Sequence, residues 1–144
     1  MKRIACLLLV AALAGCGGSG DARAVFAAKA NAICHRHFEQ VRALKSPQSY
    51  QQLLDYVDEI SQLAHQKVEE LKQVQPPEGD AEEFRRMLAQ MDRTLALYPE
   101  LREAAVTGRP SAIRAVLRKA DESDAKAGEI GRNLDLDSCV PAQN

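Results

Sequence analysis

The chain has 144 residues, with 19 basic and 20 acidic side chains and a formal net charge of −1, so it presents no strongly basic balance of the kind nucleic acid attracts. Trp is absent, and Phe and Tyr number three each among abundant Ala, Leu and Gln, a composition that points to a helical, aromatic-poor fold. The length fits a single domain, large enough for a core of its own.

The N-terminus opens with the positive residues Met1-Lys2-Arg3, followed by an apolar run from Ile4 to Leu13 and then Ala14, Gly15 and Cys16. A permanent membrane span needs roughly 20 apolar residues, and this run stops too early. The quartet Leu13-Ala14-Gly15-Cys16 resembles the lipobox of bacterial lipoproteins. An ordinary secretory signal with a chance cysteine is the other reading of the same residues. The resemblance implies that residues 1–15 are a signal peptide, that Cys16 receives lipid, and that the mature protein stays on a membrane in the cell envelope, outside the cytoplasm. Several acyl chains on one residue anchor stably, whereas a single chain is marginal. Gly17 follows the cysteine in place of Asp, which favours the outer membrane in a cell with two. Residues 16–21, rich in Gly, are expected as a flexible tether and residues 22–144 as the folded domain. Loss of Lys2 and Arg3 with the signal peptide lowers Lys+Arg from 19 to 17 against 20 acids, a net charge of −3.

With Cys6 in the signal peptide and Cys16 given to lipid, Cys34 and Cys139 remain as a pair. In an oxidising compartment such a pair reads as a disulfide. A redox-active dithiol, the alternative, usually shows C-x-x-C spacing.

Helical periodicity runs through four segments. In the first, Phe26, Ala30, Ile33, His37, Val41 and Leu44 recur at steps of three or four. Ser46 and Pro47 are expected to supply an N-cap and first-turn proline for the second helix. Its stripe runs from Tyr50 through Leu53, Val57, Ile60, Ala64 and Val68 to Leu71 and Val74, before Pro76-Pro77. The third is expected to open on a capping box formed by Asp80 and Glu83. Its apolar face carries Phe84, Met87, Met91, Leu95, Tyr98 and Leu101, and Pro99 predicts a kink or short break near Tyr98. Thr107, Gly108 and Pro110 make the next corner. The fourth helix shows Ile113, Val116, Leu117, Ala120, Ala127 and Ile130, with a left-handed C-cap expected at Gly128 or Gly131.

Short connections between such helices predict an all-α, antiparallel four-helix bundle of up-down-up-down order. To bring Cys139 to Cys34, the tail from Asn133 to Cys139 must turn back, and it is expected to do so in extended form with Leu134 and Leu136 inward. The run Phe26-x4-Asn31-x-x-Cys34, in a helical region closing on Cys139, resembles a group of small exported bacterial proteins of unknown function. That resemblance implies the helical fold and the disulfide-stapled tail; it implies no activity.

No G-x-S-x-G, H-E-x-x-H or P-loop occurs, so the chain reads as a non-enzymatic module that binds an envelope protein or ligand, without a cofactor beyond the lipid on Cys16. The alternative is copper, a metal suited to imidazole and thioether, held in the bundle by His37, His65, Met87 and Met91. The Glu-x-x-His pairs of a di-iron bundle and the C-x-x-C-H of covalent haem are absent. The charged clusters Glu69-Glu70, Glu82-Glu83-Arg85-Arg86 and 121–124 are expected on solvated faces, with Glu82 paired to Arg86.

Overall fold

The computed structural model describes residues 19–140 and is all-helical, with no strand among the described residues. The lipobox quartet and Cys16 lie outside them. Helix α1 spans Ser19–Ala43, α2 Tyr50–Lys72, α3 Ala81–Leu95, α4 Tyr98–Val106 and α5 Pro110–Asn133, with 3-10 turns at Glu78–Asp80 and Asp137–Cys139. No helix among the described residues is long and apolar enough to cross a membrane. Helix α1 begins at Ser19, inside the segment expected as tether.

The apolar stripes go largely where periodicity puts them, although Leu117 of α5 is exposed. Phe26, Ala30 and Cys34 of α1 meet Val68 and Leu71 of α2 and Phe84 of α3 in one buried cluster. The Phe26 and Phe84 rings pack edge to face, centroids 5.0 Å apart, and join α1 to α3. Pro99 breaks the third helical run as expected: α3 ends at Leu95, and α4 starts at Tyr98 with the proline in its first turn, where a missing N–H costs nothing.

The helix ends and one surface pairing differ from expectation in four places. The α2 cap is Ser49, three residues beyond Ser46: its hydroxyl accepts from the Gln52 N–H at 3.2 Å while the Gln52 side chain accepts from the Gln48 N–H at 2.7 Å. Asp80 forms no capping box, because its carboxylate accepts from Arg23 of α1 at 3.3 Å. Arg86 pairs with Glu83 and Arg85 with Glu82, both one turn apart, in place of the expected Glu82–Arg86 pair. Neither Gly128 nor Gly131 ends α5. The helix runs on to Asn133, and the left-handed residue is Asp135 at φ 59°, with the Leu136 N–H on the Gly131 carbonyl at 2.8 Å and the Asp135 N–H on that of Arg132 at 3.2 Å. These paired bonds satisfy the last carbonyls of the helix, and a short polar side chain tolerates the left-handed turn. The same motif closes α4, with Gly108 at φ 60°. A Cβ at Gly131 would stand in ordinary van der Waals contact with the Met87 sulfur, the Leu136 carbonyl and Val140, each at 3.6 Å.

The tail turns back as required but is not extended: a left-handed residue followed by the 3-10 turn brings Cys139 round in a compact loop. Leu134 and Leu136 are fully buried between exposed Asp135 and Asp137. Asn31 clamps this loop to α1, donating to the Asp135 carbonyl at 2.8 Å and accepting from the Ser138 N–H at 2.9 Å. One turn further along α1, Cys34 and Cys139 form the disulfide, with Cα atoms 5.0 Å apart.

Candidate functional site

Beside the disulfide lies a cavity of about 410 Å³, walled by α1, α2, the α3–α4 break, α5 and the tail. That volume falls within the roughly 300–1,000 Å³ range of small-molecule sites. Its apolar wall includes Val41, Ile60, Leu63 and Met91, and Phe38 stands half-exposed at its edge under the Arg42 guanidinium. Set into this wall are His37, Lys67, Tyr98 and Asp124, one from each of four helices.

Helical register puts these groups there. Lys67 stands seven residues after Ile60, on the buried seam of α2. Asp124 falls on the α5 seam between Ala120 and Ala127, half-buried, where it accepts from the Thr94 hydroxyl of α3 at 2.7 Å. The acidic run at 121–124 is therefore not a uniformly solvated face, as expected from its composition: Asp121 and Glu122 are exposed while Asp124 turns inward. The break at Ala96–Leu97 sets Tyr98 at the start of α4, half-buried beside the cavity.

Burial lowers the Lys67 amine below its ordinary value, and the Asp124 charge pulls it part of the way back through space. Burial also pushes the Tyr98 phenol up to about 12, reinforced by the same carboxylate. Tyr98 is thus a neutral hydroxyl donor at any physiological pH. His37 is buried, with Nε2 lying 3.2 Å from Glu70 Oε1, and Arg36 pairs with the other Glu70 oxygen. A carboxylate accepts only, so Nε2 carries the hydrogen of this contact, leaving Nδ1 as the other ring nitrogen. That Nδ1 is fully buried and has no hydrogen-bond partner, although buried polar atoms are nearly always paired.

A second compartment of about 320 Å³ lies between α2, α4 and α5, lined by Val57, Leu101, Val116 and Ala120 among other apolar residues. Ile60, Tyr98 and Asp124 border both compartments, so the two meet at the polar cluster.

The four residues considered for copper separate. His37 and Met91 face the first cavity; His65 is exposed on α2; Met87 is buried elsewhere, its sulfur against Gly131. Among the described residues no group of three or more His, Cys, Asp or Glu side chains is placed to hold a metal ion. Sequence reasoning missed Lys67 and Asp124, although a charge interrupting an apolar stripe marks both. No protein-family model, curated protein or solved structure matches the chain.

Proposed function

We propose that this protein is a lipid-anchored envelope module that binds a small ligand in the cavity of an antiparallel, up-down-up-down bundle. The observation that carries the binding role is the polar cluster in the apolar wall: a lysine, a carboxylate, a neutral phenol and a buried imidazole nitrogen without a partner. Bundle stability does not account for it, because replacing buried charges by apolar residues of similar volume is often neutral or stabilising. Orienting polar groups in an otherwise apolar pocket are what ligand recognition requires.

The up-down order draws support from the bonds of Arg23 near the start of α1, to Asp80 just before α3 at 3.3 Å and to the Asn133 carbonyl at the end of α5 at 2.6 Å. Those three ends belong together in that order and not in one with a long crossover. The lipid anchor rests on the quartet ending at Cys16. A non-catalytic role rests on the absence of hydrolase and phosphate motifs.

One experiment tests anchor and binding together. The full chain is compared with a form in which an ordinary cleavable export signal replaces residues 1–16. The full chain should sediment with membranes and the second form stay soluble, carrying in native mass spectrometry a small-molecule adduct of one per chain. Full-length protein that is soluble without detergent would overturn the anchor, and a bare soluble form that also takes up no added apolar compound would overturn the binding role.

A further inference from the structure

We infer that the cavity takes a single-chain amphiphile with an acidic head, its hydrocarbon in the compartment between α2, α4 and α5 and its anionic oxygens at Lys67 and Tyr98. The inference rests on the binding role proposed above and names its ligand class. The second compartment supplies apolar wall from Leu53, Val57, Leu101, Val116 and Ala120, interrupted by Tyr56 and Asp121, and Tyr98 and Asp124 stand where it borders the first cavity. Such a shape sorts a molecule into a tail and a head.

The chemistry at the shared end selects the head. Lys67 and Tyr98 are both donors, whereas the Asp124 carboxylate already takes the Thr94 hydroxyl at 2.7 Å. The attraction of Asp124 for Lys67 acts across space, and burial has removed much of the water that would otherwise solvate the amine. A ligand carboxylate brings the missing acceptor to both donors. A cationic head would face the Lys67 ammonium in a poorly solvated site, and a neutral one would leave that ammonium with only the Asp124 charge across space. The His37 ring borders the same wall, its Nδ1 buried and unpartnered.

The soluble form lacking residues 1–16 provides the test, by calorimetric titration with dodecanoate and with 1-dodecanol in detergent-free buffer. Dodecanoate should bind one per chain and at least about tenfold more tightly than the alcohol, the difference one partly screened ion pair supplies. K67M should abolish that preference and K67R retain it, circular dichroism showing both folded; A120W, which fills the hydrocarbon compartment, should weaken both ligands. Equal binding of acid and alcohol, or a preference that survives K67M, would overturn the acidic head while leaving the binding role standing. Failure of both compounds to bind would overturn the two together.

Discussion

Changing Cys34 and Cys139 together to Ala should lower the unfolding free energy by about 4–5 kcal/mol, the loop-entropy value for a bridge enclosing on the order of 100 residues. Here the two cysteines are 105 residues apart, so the bridge encloses nearly the whole fold and restricts the unfolded chain accordingly. Native packing adds to the loss. Both sulfurs are buried, and the tail that carries Cys139 brings the fully buried Leu134 and Leu136 with it. Against the 5–15 kcal/mol typical of domains this is a large share. Urea unfolding followed by circular dichroism measures it, and reductant added to the unmodified protein should move the midpoint in the same direction. A loss below about 1 kcal/mol would mean that the Asn31 clamp and the leucines hold the tail unaided.

The second large effect is expected at Phe84. Its side chain is 2 % exposed and lies edge to face against Phe26. Truncation to Ala leaves a cavity where α1, α2 and α3 converge and should cost about 3–5 kcal/mol in the same urea assay. The double variant F26A/F84A should cost less than the sum of the single ones by about 0.5–1.5 kcal/mol, the worth of an aromatic pair beyond its buried area. Additive losses would show that the rings merely fill space.

The repeating part of the fold was legible in the sequence, and the ends of its elements were not. Apolar spacing located every helix and Pro99 located the break, because those signals are local and periodic. The Ser49–Gln52 cap was also local, an S-x-x-Q pattern that outweighs Ser46-Pro47 because it satisfies two backbone donors with two side chains. Asp80 could not be read locally, since what takes its carboxylate is Arg23, 57 residues away in the chain. Gly131 gave the opposite difficulty. It looks like a helix terminator, but the helix runs on to Asn133, and the left-handed residue that turns the chain is Asp135.

The candidate site follows the same division. Lys67 and Asp124 were visible as charges on apolar seams, where a stripe read only for its apolar members passes over them. Their convergence with Tyr98 and His37 was not visible, because it depends on how four helices face one another. The copper reading took His65 from beside one stripe and Met87 from another; the first is exposed to solvent, and the second fills core against α5.

The binding role is tested most directly by methyl NMR of the soluble form, labelled at Met and Ile and titrated with dodecanoate. Met91 and Ile60 line the cavity and Ile113 the adjoining compartment, whereas Met87 lines neither. The account predicts saturable shifts at Met91, Ile60 and Ile113 with Met87 unmoved. Three unmoved methyls at an excess of ligand, or a shift of Met87 as large as that of Met91, would contradict it.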